Sequence, residues 1–193
     1  MKLAKSIIKR QALVDATIQL VNEDGFHNSP MSKIAKMAGV SPATIYLYFE
    51  NKQDLINKVF IEVKEIFTRY IFETYEEEMT VEGGFELIWR RISFFKLDQC
   101  KEAMFLMHCD FNPIIDKKIR KEGITHLQPL LDLWQRGKEE GIIKPISNYL
   151  LFAYAINPIS TLLIMQQQGI YTIQTSDINE AYNAAWDAIK LSK

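Results

Sequence analysis

Leu13, Ala16, Thr17, Leu20 and Val21 recur at three- and four-residue spacing and share one stripe of a helix, while Gln11, Asp15, Gln19 and Asn22 line its other side. Gly25 is its stop signal. Ser29-Pro30 then offers a capping serine with proline at the first helical position, which predicts a short helix from about Pro30 to Ala38. Gly39 ends that helix in the left-handed conformation, and Val40 turns an apolar side chain back inward. Ser41-Pro42 repeats the start and opens a helix through Ala43, Thr44, Ile45, Tyr46, Leu47, Tyr48 and Phe49, with Ile45 and Phe49 facing the core. Two short helices around a glycine turn, behind a supporting helix, make a helix-turn-helix.

Beyond it the pattern stays helical. Asn51 caps the next helix with Asp54 reaching back, and Leu55, Val59, Phe60, Val63 and Phe67 carry that helix to about Glu78 without a flexible hinge. Gly83-Gly84 breaks the chain, and Phe85, Ile88, Trp89, Ile92 and Phe95 begin another amphipathic helix. Met104, Phe105, Met107, His108 and Phe111 follow, before a stop at Asn112-Pro113. Ile114 to Gly137 reads as a long helix with an interruption allowed near Gly123, burying Leu127, Leu130, Leu131 and Trp134. Tyr149 to about Gln168, with a kink allowed at Pro158, and Ile178 to Leu191 complete an all-α chain.

Composition agrees with this. Only 8 Gly and 6 Pro in 193 residues leave few turns for many short strands. At 48% hydrophobic and 24% charged, the chain reads as a soluble globular protein, and no stretch reads as a secretory signal. The longest apolar run, Tyr149 to Met165, contains Asn157 and Pro158 and falls short of the roughly 20 residues a membrane span needs. Cys100 and Cys109, if on one helix, lie about 13 Å apart along its axis, too far for a disulfide, which suits a reducing cytoplasm.

The net charge of −1 hides an asymmetry. Residues 1–52 hold seven bases and four acids, a balance of +3, and the remainder carries −4. A small basic unit joined to a larger acidic one is the distribution of a nucleic-acid-binding module attached to a second function.

In a helix-turn-helix the N-terminal residues of the second helix meet base edges in the major groove. Ser41, Pro42, Ala43 and Thr44 are small enough for close backbone approach; Thr44 can bond a base or phosphate, and Pro42 and Ala43 can pack on a thymine methyl. Tyr46 and Lys52 are spaced to meet phosphates on either side, and Tyr48 is either a phosphate ligand or a half-buried core tyrosine.

Leu13-Val-Asp-Ala-Thr-Ile-Gln-Leu-Val, Gly25-Phe26, Ile34-Ala-Lys-Met-Ala-Gly-Val-Ser, and Thr44-Ile-Tyr-Leu-Tyr-Phe followed by Asn51-Lys52-Gln-Asp-Leu55 together resemble the DNA-binding region of TetR-type transcriptional regulators. The resemblance covers about Leu13 to Leu55. It implies a three-helix DNA-binding domain over residues 1–52, a connecting helix over about 52–78, and a larger helical effector-binding and dimerisation domain over 53–193. It also implies a cytoplasmic homodimer, more a repressor than an activator, that binds double-stranded DNA at a near-palindromic operator under control of a small effector. Where members often carry Thr or Ser this chain has Pro30, which moves the cap and phosphate-facing hydroxyl to Ser29, with Ser32 as the alternative. Leu47 replaces a commonly polar residue, so this position touches thymine methyls or the sugar edge rather than guanine.

Trp89, Phe94, Phe95, Met104, Met107, His108, Phe111, Trp134, Tyr154 and Met165 are candidate lining for a largely apolar effector, with His108 as an orienting hydrogen-bond partner; most such residues are otherwise ordinary core. In the resembling family the last two helices form a four-helix dimer interface. Ala153, Ile156, Ser160, Leu163, Ala181, Ala184, Ala185 and Ala188 are small or apolar enough for it, or for packing within the monomer. Cys100, His108, Cys109 and Asp110 lack paired metal-ligand spacing, His27 and His126 add no organised partner, and no phosphate loop or nucleophile elbow occurs. The chain is therefore expected to be no enzyme and to need neither metal nor cofactor. The competing reading is a helical small-molecule-binding protein or enzyme that keeps the N-terminal motif for packing alone. Tyr46→Phe and Lys52→Ala are expected to weaken binding to matched and unmatched duplexes alike, Lys52→Ala lowering the salt slope by about one. Unchanged affinity of both variants in a fluorescence titration excludes this placement.

Overall fold

A computed structural model of the chain describes residues 2–110 and 112–192, with side chains from residue 4 onward. Among the described residues it is helical throughout, the one β feature being an isolated antiparallel bridge between Ile143 and Lys190. Its contacts gather into two compact units, Met1–Ile66 with Lys101–Gly123, and Phe67–Cys100 with Ile124–Lys193. The first unit is thus larger than residues 1–52.

In the first unit, α1 (Lys2–Asp24) starts three turns before its apolar stripe, and Leu13, Val14, Ala16, Ile18, Leu20 and Val21 are buried. Gly25 at φ 73° ends it, and α2 (Met31–Met37) and α3 (Pro42–Ile45) follow. α4 (Lys52–Phe72) buries Leu55, Ile56, Val59, Phe60 and Val63 here. Its start is held as expected, since Asn51 Oδ1 accepts the Asp54 N–H at 2.9 Å, while Asp54 reaches back to the Glu50 N–H at 3.0 Å.

The segment 101–123 joins this unit through specific pairs. Phe105 stands edge-on to Phe26 at 6.5 Å, Asn57 donates to Asp116 at 2.6 Å, and Gly123 lets the Phe60 ring come close. α6 (Cys100–Asp110) carries both cysteines, which are free. Arg120 on α7 (Lys117–Thr125) donates to the carbonyls of Cys109, Asp110 and Asn112, satisfying acceptors that the end of α6 leaves unpaired. The expected long helix from Ile114 to Gly137 is therefore two: α7 stops at Thr125 and α8 (Gln128–Glu139) restarts with Pro129 in its first turn. Gly123 lies inside α7, where it serves close packing and not a break.

In the second unit, α4 ends at Phe72, short of the expected Glu78. Arg91 of α5 (Val81–Asp98) explains the stop, donating to the Tyr70 carbonyl at 2.6 Å and to Glu73 at 2.5 Å, and so taking over an acceptor at the helix end. Arg136 holds the Glu77 and Met79 carbonyls of the following turn. Gly83-Gly84 does not break the chain. It lies in the first turn of α5, capped by Thr80, which accepts from the Gly83 N–H at 3.1 Å, and a Cβ on Gly84 would stand 3.0 Å from Tyr75 and 3.4 Å from Leu133.

The apolar run near the C-terminus is broken into α9 (Asn148–Leu151), a π-helical segment Phe152–Ile156 and α10 (Asn157–Gln167). Pro158 has no N–H to give and crowds the turn before it, and the widened turn relieves this, the Asn157 N–H returning to the Phe152 carbonyl. The Trp89 indole N–H takes the Ala155 carbonyl at 2.7 Å. Counted with Asn148 and Gln166-Gln167, this stretch is 20 residues, and its most apolar 18-residue window has mean hydropathy 1.3 with 33% of that window buried, long and apolar enough by those measures to cross a membrane. α11 (Thr175–Ile189) packs Ile178, Tyr182, Ala185, Trp186 and Ile189 inward; Trp186 and Tyr182 lie beside Phe85 at 5.6 and 6.3 Å. Leu130, Leu133 and Trp134 of α8 are buried, whereas Leu127 and Leu131 are only half-buried.

Gly137 is the tightest helical close approach in this unit, since a Cβ would stand 2.7 Å from Ile143 Cδ1 and 2.8 Å from Val81 Cγ1. Gly137→Ala is expected to cost about 1–3 kcal/mol by overpacking, despite alanine's better helix propensity, read as a lower urea midpoint at unchanged slope.

Candidate nucleic-acid interface

Gly39 at φ 67° makes the turn that separates α2 from α3, with its N–H on the Lys36 carbonyl at 3.1 Å and the Val40 N–H on the Ala35 carbonyl at 3.0 Å. α3 then begins on a proper cap. Ser41 is extended at φ −68° and ψ 150°, and its Oγ accepts the Thr44 N–H at 3.2 Å and lies 2.8 Å from Thr44 Oγ1. Regular α-helix ends at Ile45, not at Phe49 as expected; tighter turns continue it, Leu47 and Tyr48 donating to the carbonyls of Thr44 and Ile45 at 3.1 Å each.

Ile45 and Phe49 are buried, as their spacing required. Pro42, Ala43, Tyr46 and Leu47 fall on the opposite side of the same turns and are exposed, Tyr46 at 57% and Leu47 at 81%. Ser41 is exposed beside them and Thr44 half-buried. A leucine this open has no part in the core, and its methyls are free to meet apolar base edges.

Ser29 is placed differently from its expected role. It is fully buried, its hydroxyl donates to the Gly25 carbonyl at 2.8 Å, and Pro30 takes the cap position of α2 with no side-chain cap bond. The cause is the loop after Gly25, which needs a donor inside. Ser32, on the first turn of α2, is exposed. Tyr48 is half-buried with its hydroxyl 3.1 Å from Ser6 Oγ, so α1 is tied here to the segment 42–49. Lys52 does not stand free. It is half-buried, its ammonium donates to the Phe26 carbonyl, and burial lowers its pKa from the usual lysine value. Asp54, although burial raises its pKa, ends below the usual carboxylate range because Lys58 at 2.8 Å and the Glu50 N–H favour its charge.

The expected effector-lining residues belong partly to each unit. In the second unit Trp89, Phe95 and Trp134 are core residues, Phe95 lying against Phe67 at 5.0 Å and Tyr70 at 5.6 Å. Phe94, Tyr154 and Met165 lie on that unit's surface. The Trp134 indole N–H and the Tyr182 hydroxyl are buried without a hydrogen-bond partner among the described residues, and burial, reinforced by Glu86 and Glu82, pushes the Tyr182 phenol up to about 12. In the first unit Met104 and Met107 are half-buried, and His108 lines an open cleft of about 580 Å³ with Asp24, Phe26, His27 and Asn112. Phe111 lies outside the described residues. A second cleft of about 590 Å³ is edged by charged side chains, among them Arg10, Lys58, Glu62 and Asp116.

The expected dimer residues divide by burial. Ile156, Ser160, Leu163 and Ala185 are buried inside the second unit, Ala181 and Ala188 are half-buried, and Ala153 and Ala184 are exposed. Ser160 turns inward because its hydroxyl accepts the Lys96 ammonium. The sequence singled out small residues; the outward face is made by the larger Tyr149, Leu150, Tyr154 and Met165.

The family model for bacterial regulatory proteins of the tetR family matches residues 13–59, and that for the tetracyclin repressor-like C-terminal domain matches residues 81–190. The fatty acid metabolism regulator protein of Bacillus subtilis is 39% identical over 80 residues, 42% of this chain and 41% of that relative, so the chain matches less than half of its length. A TetR family transcription regulator from Marinobacter aquaeolei superposes with TM-score 0.90 at 27% identity over 100% of both chains. The Bacillus subtilis regulator FadR in complex with stearoyl-CoA superposes with TM-score 0.72 at 23% identity over 93% of this chain and 98% of that one.

Ser41 carries two separable roles. Ser41→Ala is expected to cost about 1 kcal/mol through the lost cap and to weaken duplex binding. Ser41→Asp is expected to restore the cap and the urea midpoint while leaving duplex binding weak, since a carboxylate at the exposed start of α3 repels a phosphate that approaches it.

Proposed function

We propose that this chain, which belongs to the TetR family of bacterial regulatory proteins, is a DNA-binding transcriptional repressor that reads a near-palindromic operator as a homodimer, with residues 42–49 as its reading segment. The observation that carries this is the exposed face Pro42, Ala43, Tyr46 and Leu47 on a serine-capped turn whose other side is buried. Packing alone asks nothing of that face. Ser41 and Thr44 extend it, and Ser32 and Tyr48 are its flanking hydroxyls. Lys52, its ammonium held by the Phe26 carbonyl, fixes that loop, so Lys52→Ala is expected to weaken binding with less than the roughly one-unit fall in salt slope that a free phosphate contact would give.

The symmetry mate covers the outward side of α9, α10 and α11, where Tyr149, Leu150, Ala153, Tyr154, Met165 and Ala184 stand exposed. Covering this side gives the 20-residue apolar stretch a protein environment, and a regulator that meets its operator directly works in the cytoplasm. The effector is a long-chain acyl thioester of coenzyme A. Support comes from the relative named for fatty acid metabolism, the stearoyl-CoA complex of FadR, and the aromatic and methionine content of the C-terminal half.

Selection from a random duplex pool followed by titration with stearoyl-CoA tests both levels. The expected result is one inverted repeat whose affinity falls roughly 5- to 150-fold with stearoyl-CoA and not with free coenzyme A. No enrichment at low salt removes the regulator reading; enrichment without an acyl-chain effect removes only the effector.

A further inference from the structure

The family match starts at residue 13, yet α1 starts at Lys2. Residues 2–12 hold Lys2, Lys5, Lys9 and Arg10 and no acid. Lys5 and Lys9, four apart, lie on one stripe of this helix, which further along becomes the core stripe Leu13, Ala16 and Leu20. α1 thus overruns its own core, and the side that packs inward from Leu13 onward shows ammonium groups before it. Both lysines are exposed, and neither has an acid partner among the described residues. Arg10 is otherwise engaged, bound to Glu62 at 2.7 Å with its guanidinium 5.8 Å from the Phe49 ring centroid.

Ser6, next to Lys5 and three residues from Lys9, lies within 3.1 Å of the Tyr48 hydroxyl. Tyr48 directly follows the exposed Tyr46 and Leu47. The basic stripe is therefore seated on helix α1 beside the end of the reading segment. We propose that Lys5 and Lys9 are a phosphate clamp that prolongs the DNA contact from the helix-turn-helix along the sugar-phosphate backbone. This rests on the regulator reading above. The clamp carries no base preference, because an ammonium on phosphate reads charge alone, and its contribution is released counterions.

The test uses the full chain with a mixed-sequence duplex of about 40 base pairs across a salt series. At about 0.9 per phosphate contact, Lys5→Gln with Lys9→Gln is expected to flatten the slope of log affinity against log salt by about 1.8 per protomer, and Lys5→Arg with Lys9→Arg to keep it. Lys117→Gln with Lys118→Gln removes equal charge from the exposed start of α7 and is expected to leave the slope alone. An unchanged slope for the Lys5 and Lys9 glutamine variant, at unchanged helical circular dichroism, overturns the clamp while the regulator reading stands. A wild-type chain that shows no salt-dependent duplex binding overturns both. Exposed Ile7 and Ile8 give the same turns an amphipathic character. If the glutamine variant instead loses co-sedimentation with phosphatidylglycerol vesicles and keeps its DNA slope, the surface is a membrane contact and the clamp is wrong.

Discussion

A single α-helical turn does not hold itself together in water, so the reading segment depends on the burial of Ile45 and Phe49 beneath it. Phe49 is fixed from two sides, with the Arg10 guanidinium from α1 and the Lys58 ammonium from α4 each 5.8 Å from its ring centroid. Each cation is held in turn by an acid on α4, Arg10 by Glu62 and Lys58 by Asp54. Asp54 also closes the start of α4. One buried ring thereby sets the relation of α1, the reading segment and α4, and the exposed face of Tyr46 and Leu47 follows from it.

The second unit has its own central constraint. Pro158 prevents one regular helix from 148 to 167, and the π segment it imposes offers the Ala155 carbonyl to Trp89. That indole is a core residue of α5 and lies 5.7 Å from Tyr182 of α11, so the wide turn registers three helices against one another. Small residues such as Ser160 and Ala185 are used up inside this arrangement. The large apolar side chains Tyr149, Leu150, Tyr154 and Met165 are left outside, and they form the surface proposed for a symmetry mate.

Charge acquires a direction once the helices are placed. The +3 balance of residues 1–52 is not spread over a basic face, because Arg10 is paired with Glu62, Lys33 with Asp24 at 2.6 Å, and Lys52 is turned onto a backbone carbonyl. Lys5 and Lys9 stand at its end without such a partner. Lysine at the helix start and leucine further along share one stripe, so the same face changes from contact with solvent to contact with core within two turns.

The sequence by itself determined the helical class, the helix-turn-helix and its glycine and cap-proline signals, because these depend on φ preferences and spacing along a few residues. Gly39, Ser41-Pro42 and the Asn51 cap of α4 were legible for that reason. It also placed Ile45 and Phe49 inside by periodicity alone. Only the tertiary structure decided that Ser29 would be buried, that Lys52 would bond Phe26, that Gly83-Gly84 would continue a helix and that α4 would stop at Phe72. In each case a backbone carbonyl or a neighbouring side chain distant in sequence, or the loop's own need for a buried donor, outbids the local preference. The effector-lining residues were the least legible, since aromatic rings at helical spacing satisfy a core and a cavity equally well, and which of the two they form depends on how separate helices meet.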